Sequence, residues 1–154
     1  MHIELITFGK SKEVNLESAE NEYLKRLKGE LNLKQTSLPQ AKTKISSQAI
    51  MSEEAKNLLH YIKPTTHLII LDEYGTNLTS KEFAQLLQNY KNQAVSDLTF
   101  AIGGPYGWDD SIRKRANYSF SLSKLTFPAH VAKFLLIEQL YRATSILNGH
   151  PYHK

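Results

Sequence analysis

The sequence predicts an α/β fold, a mostly parallel sheet with helices on both faces, and three observations lead there. Short apolar stretches alternate with amphipathic ones along the whole chain, the pattern of a layered βα protein. Residues 68–71 form a continuous apolar run rather than an alternating one, as in a strand covered on both faces. A second such run, within DLTFAIGGPYG, leads directly into glycines.

The elements follow in order. HIELITFGK places Ile3 and Leu5 in alternation ahead of Gly9, a first strand. EVNLESAENEYLKRLKG sets Val14, Leu16, Ala19, Tyr23, Leu24 and Leu27 at helical spacing and stops at Gly29, a residue suited to a helix C-terminus. LNLKQTSLP supplies a second strand. Ser46 and Ser47 open a helix that runs to about Tyr61, before Pro64. THLIILDEYG is the strand buried on both faces, and Thr79 or Ser80 caps a helix through Phe83, Leu86, Leu87 and Tyr90. DLTFAIGGPYG repeats strand and glycine, DDSIRKRA reads as a short helix and YSFSLS as a strand. VAKFLLIEQLYRATSIL is a long final helix ending at Asn148-Gly149. Phe134, Leu135, Leu136 and Ile137 are consecutive in it, and successive steps of about 100° leave almost no polar face. Either the subunit's own core or a second copy must cover that helix.

Composition bounds the chemistry. The 154 residues, 41% hydrophobic and 22% charged, suit one domain over residues 1–154 with a core that needs no disulfide or metal. Without cysteine there is no thiolate metal site, iron–sulfur cluster or cysteine nucleophile. No apolar run approaches the roughly 18 residues that span a bilayer, and MHIELITFGK lacks the features of a signal peptide, so a cytoplasmic protein without membrane contact is expected. Residues 1–104 carry 12 Lys+Arg against 12 Asp+Glu, whereas residues 105–154 carry 7 against 3. A basic C-terminal third suits a polyanion such as RNA, although a solvated face with a chance bias would look the same.

In a parallel sheet ligands sit beyond the carboxyl ends of the strands. Three such ends carry unusual residues: Leu71-Asp72-Glu73-Tyr74-Gly75, Gly103-Gly104-Pro105-Tyr106-Gly107, and Leu122-Ser123-Lys124-Leu125-Thr126-Phe127-Pro128. They are expected to converge on one crevice, with Gly103 and Gly104 admitting a close backbone approach; a plain tight turn is the alternative. GGPYG is not G-x-G-x-x-G, no G-x-x-x-x-G-K-[ST] exists, and neither does a G-x-S-x-G elbow. His150 and His153 have no nearby carboxylate but the chain terminus, so no metal is expected. An organic cofactor in a glycine-lined crevice remains. The ending NGHPYHK gathers two imidazoles, a phenol and an ammonium, a set that can stack on and hydrogen-bond an unpaired RNA base. A solvated chain end is the other reading of it.

Taken together, IGGPYGWDDSIRKRA, SLSKLTFPAH and above all IEQLYRATSILNGHPYHK resemble the ribosomal large-subunit pseudouridine N3-methyltransferases of the SPOUT class. The resemblance spans essentially the whole chain. It implies a C-terminal trefoil knot, a rare exception to unknotted topology. It implies a homodimer in which the partner's tail completes each active site, with large-subunit rRNA in the assembled ribosome as substrate. It further implies S-adenosyl-L-methionine (SAM) as cofactor, contacted at Leu71, Gly103, Gly104, Lys124, Leu125, Thr126, Phe127, Pro128 and Ala129. Related sequences place a histidine where this chain has Ala129, and His130 follows one position later. Arg142 would face the active site or an RNA phosphate, its bland role being an ion pair with Glu138 one turn earlier. His150, Tyr152 and His153 would position the base.

The N3 of a uracil-type ring is protonated and needs help to become a nucleophile. The expectation is that His153 or a neighbouring water takes that proton while Arg142 stabilises negative charge. Two other readings stand beside this one: a noncatalytic RNA-binding, ribosome-associated factor with the same fold, and a flavodoxin-like nucleotide or flavin protein. SAM binding separates the first from the enzyme; the missing phosphate fingerprint weakens the second.

Overall fold

Which face each strand residue turns inward determines how the layers assemble in the computed structural model, which describes residues 1–10 and 14–154. In chain order the elements are β1 (His2–Phe8), α1 (Val14–Leu27), β2 (Leu33–Leu38), α2 (Ser47–Tyr61), β3 (His67–Asn77), α3 (Ser80–Asn92), β4 (Asp97–Ile102), α4 (Asp110–Arg115), β5 (Tyr118–Ser121) and α5 (Ala129–Leu147). The expected start of the first helix at Glu13 lies outside the described residues. The strands form one sheet in the order β2-β1-β4-β3-β5, every pair parallel.

Strand period two divides the core into halves. Ile3, Leu5, Ile69, Leu98, Phe100 and Ile102 face a layer made by Leu27 of α1, Phe83 and Leu87 of α3, and Leu136, Ile137 and Leu140 of α5. Ile6, Phe8, Leu68, Ile70 and Ala101 face the opposite layer, where Ala55 and Leu58 of α2 and Ile112 of α4 pack with Trp108. Helices therefore cover both faces, and Leu68, Ile69 and Ile70 of the continuous run are fully buried because they alternate between the two layers, while Leu71 at the strand end is half-buried.

Local chemistry sets the helix ends. The Ser46 side chain accepts from the Ala49 amide, and Thr79 with Glu82 forms a reciprocal capping box. At the end of α5, Gly149 takes φ +70°, its N–H donates to the Ile146 carbonyl and the His150 N–H to the Ser145 carbonyl. Those two bonds make a Schellman turn, which sends the tail back along its own helix.

Two features position the site. Leu71 pairs with Ile102 on one side and Phe120 on the other, so β3, β4 and β5 end on one line. Residues 72–75 then leave the ladder, and β3 resumes with Thr76 beside Phe120 and Asn77 beside Ser121. Gly75 makes this return possible: a Cβ there would lie 2.7 Å from the Ser119 carbonyl. The apolar run of α5 is shared out unevenly. Leu136 and Ile137 are fully buried in the subunit's own core, whereas Phe134 and Leu135 remain half-buried. Among the described residues no helix is long and apolar enough to cross a membrane.

Candidate active site

The three glycine- and serine-bearing strand ends emerge side by side at the carboxyl edge of the sheet, as expected from the sequence, and they brace one another. Trp108 Nε1 donates to the Leu71 carbonyl at 2.8 Å, tying the segment after β4 to the end of β3. Arg113 of α4 donates from Nε to Asp72 Oδ2 and from Nη1 to the Trp108 carbonyl, both at 2.8 Å. Across the other gap, Thr126 Oγ1 donates to Glu73 Oε2 at 2.6 Å, and Ser121 Oγ to the Glu73 carbonyl at 3.3 Å. Trp108, Asp72, Glu73 and Arg113 were not singled out by sequence reasoning as site residues; Asp72 and Glu73 were visible only as part of a strand end.

Within this frame the glycines are needed for close packing. A Cβ on Gly103 would meet the Gly107 carbonyl and the Trp108 ring at 3.2 Å, and one on Gly104 would come within 2.5 Å of the Glu54 carboxylate. Glu54 is buried in α2, and burial pushes its carboxyl above the ordinary range even though the Gly104 amide donates to it. Lys124, Leu125 and Thr126 are exposed, Phe127 is half-buried, and Pro128 and Ala129 lie exposed where α5 begins. Pro128 gives α5 no side-chain cap, so the first amides of that helix have no side-chain acceptor. Backbone groups and a rim of side chains thus border an open edge, a surface that suits an organic cofactor read through amides and carbonyls. His130, one position beyond Ala129, turns into a groove of about 610 Å³ that it lines with Gly9, Gln40 and Lys133.

The tail builds a second cluster, and here side chains do everything. The Schellman turn and Pro151 lay Tyr152 against α5, where its hydroxyl donates to Glu138 Oε1 at 2.9 Å and meets the Tyr23 hydroxyl at 3.0 Å. Arg142 donates to the same Glu138 oxygen from Nε at 3.0 Å and from Nη2 at 2.6 Å. Its guanidinium lies over the Tyr152 ring, 4.6 Å from the centroid, and Nη1 reaches His153 Nδ1 at 3.3 Å. The hydrogen bonds to Glu138 raise the Arg142 pKa further, so the cation is permanent. Burial, with the Tyr23 and Glu138 contacts, pushes the Tyr152 phenol well above its usual range, so it stays protonated.

Arg142 therefore makes the ion pair with Glu138 that the spacing allowed, and it also holds His153. Tyr152 and His153 are brought together with it; His150 is exposed and contributes only its backbone N–H to the turn. The cluster stands apart from the strand-end edge within one subunit. Glu138 and Arg142 lie about 14 and 20 Å along α5 from Ala129.

A fold of this order, with such an edge, is that of a methyltransferase: the family model described as "Predicted SPOUT methyltransferase" matches residues 1–153. The chain belongs to the SPOUT methyltransferase family. Among its relatives, the protein named "Ribosomal RNA large subunit methyltransferase H" of Cytophaga hutchinsonii is 40% identical over 154 residues, covering 99% of each chain. One of the same name from Clostridium botulinum is also 40% identical, over 159 residues and 100% of each chain. A solved structure, a "probable methylase family protein" from Haemophilus influenzae, superposes with a TM-score of 0.57 at 15% identity, over 99% of this chain and 70% of that one. That likeness speaks for the fold alone. Membership in an enzyme family sets aside the flavin-protein and noncatalytic-factor readings.

Proposed function

We propose that this chain, a single SPOUT domain over residues 1–154, uses SAM to methylate N3 of a pseudouridine in 23S rRNA of the assembled large subunit. It works in the cytoplasm as a homodimer. The observation that carries this is the 40% identity, over essentially both full chains, to proteins named for large-subunit rRNA methylation. The C-terminal trefoil knot is part of this reading and rests on membership in the family.

The donor belongs at the strand-end edge, held by the backbone of Leu71, Gly103, Gly104 and Lys124, Leu125, Thr126, Phe127, Pro128 and Ala129. Bound there, SAM supplies a methyl carbon on a sulfonium, already activated for transfer. The protein's task is then to align the acceptor nitrogen, exclude water and stabilise charge on the ring. Arg142, His150, Tyr152 and His153 take that task. The separation of about 14–20 Å along α5 means that these residues cannot close on the cofactor edge of their own subunit. A second copy packed antiparallel across α5, over the half-buried Phe134 and Leu135, brings a tail to each edge.

Mass mapping of 23S rRNA from cells with and without the protein tests the reading. A single nucleotide should lose 14 Da on deletion and regain it on complementation; an unchanged map would refute the assignment. A chain that stays monomeric at micromolar concentration yet turns over would refute the shared site.

A further inference from the structure

We infer that His153 serves the target ring as a hydrogen-bond donor through Nε2–H and is not the base that removes its proton, because Arg142 dictates the tautomer. The inference rests on the function proposed above and assigns one residue's role within it. Arg142 Nη1 reaches Nδ1 of His153 at 3.3 Å. A guanidinium has five N–H groups and no acceptor, so Nδ1 must offer its lone pair and the ring hydrogen must sit on Nε2. The one basic lone pair of the neutral imidazole is thereby turned toward Arg142 and away from any substrate. Among the described residues Nε2 makes no hydrogen bond.

The guanidinium cannot turn aside to release that nitrogen. Its Nε and Nη2 both donate to Glu138 Oε1, its Cζ lies over the Tyr152 ring, and Tyr152 is itself fixed by donating to the same Glu138 oxygen and by the Tyr23 hydroxyl of α1. With three donors gathered on one carboxylate oxygen, the plane of Arg142 is set and Nη1 is left pointing at the tail. The charged and titratable groups around His153 are thus Arg142 directly, Lys154 with the terminal carboxylate as its chain neighbour, and Glu138, Tyr152 and Tyr23 through Arg142. Tyr23 and Glu138 are positioning residues: they act through Arg142 and Tyr152.

The chemistry this permits is consistent in protons and electrons. The N3–H of the target lies between two ring carbonyls, so when its proton passes to solvent the negative charge spreads onto those oxygens. A fixed Nε2–H donor beside one of them, backed by the Arg142 cation, stabilises that anion. The N3 lone pair then forms the bond to the methyl carbon, and the carbon–sulfur bonding pair stays on sulfur.

Two measurements on the intact protein decide the matter. Nitrogen-15 NMR of histidine-labelled protein, with His153 assigned by its loss in His153→Gln, should show an unprotonated Nδ1 and a protonated Nε2 at neutral pH. A proton on Nδ1 overturns the proposal, whatever the substrate proves to be. Single-turnover methylation of ribosomal subunits lacking the mark should fall about 100-fold or more in His153→Phe. His153→Gln, whose amide still donates, should stay within about tenfold of wild type and keep the wild-type pH profile. Equal losses in the two variants, or a missing limb in the His153→Gln profile, would establish a base and sink the idea. Absence of methylation by the wild type would instead remove the proposed function, and the NMR result would still report the tautomer.

Discussion

The strand-end edge and the C-terminal tail are built by opposite means. At the edge, side chains such as Trp108 and Thr126 only brace the frame, and what the edge offers is main chain, held by a sheet whose residues are buried on both faces. In the tail the main chain supplies only a reversal at Gly149, and what is offered is a set of side chains fastened to a single carboxylate oxygen. On the proposed assignment, a cofactor common to a whole enzyme class would be read by a frame that tolerates varied side chains. A particular base needs particular donors. The two halves can therefore be perturbed separately, and α5 is the strut between them.

The largest expected effect lies in the tail. Arg142→Ala removes the cation and frees the His153 ring, and the single-turnover rate should fall about 10²- to 10³-fold. Calorimetric affinity for SAM should barely change, and a parallel loss of binding would break the division into two halves. Gly104→Ala is the converse. Its new methyl meets the Glu54 carboxylate at 2.5 Å, so the loop must shift. The expected result is at least about tenfold weaker SAM binding together with a loss of about 1–3 kcal/mol in stability. Unaltered affinity would show that the glycine loop is only a turn.

Trp108→Phe keeps the ring in the core but removes the donor to the Leu71 carbonyl. It should lower stability by about 1 kcal/mol, or about 2–4 °C in Tm, and loosen the edge without touching the tail. Smallest is the effect of pH through Glu54. Burial raises its folded pKa, so the folded state binds this proton more tightly than the unfolded chain does. The ionised group burdens the fold above its folded pKa and is relieved as pH falls through it. Glu54→Gln keeps an acceptor for the Gly104 amide and should melt higher than wild type at neutral pH, with the gap closing in mild acid. A pH-independent difference between the two melting curves would mean that the charge is not the cause.

Much of this was legible along the chain. Alternation, continuous apolar runs, helical spacing and the cap and turn residues between them gave all ten elements, because burial follows the local geometry of strand and helix. Gly29 and Gly149 marked helix ends because a left-handed residue is needed there, and both have positive φ. The strand ends were expected to lie together because a parallel sheet places such ends on one edge, and β3, β4 and β5 do end side by side. Recognition of the tail motif rested on resemblance, since periodicity has nothing to say about NGHPYHK.

What stayed hidden depends on who becomes whose neighbour. Nothing in YSFS says that β5 lies beside β3, or that residues 72–75 must detour before the ladder resumes. Trp108 carried no signal of its own in the sequence and proved to be both core and clamp, because an indole N–H finds its acceptor only once β3 and β4 are adjacent. Tyr23 showed its apolar face in the helix pattern, but its hydroxyl meets Tyr152 across 129 positions of sequence. Sequence by itself determined the elements and their caps, which follow from interactions within a few residues. Only the tertiary structure decided which donors share Glu138 and which nitrogen of His153 is covered, because directional bonds between distant side chains exist only after the layers have packed.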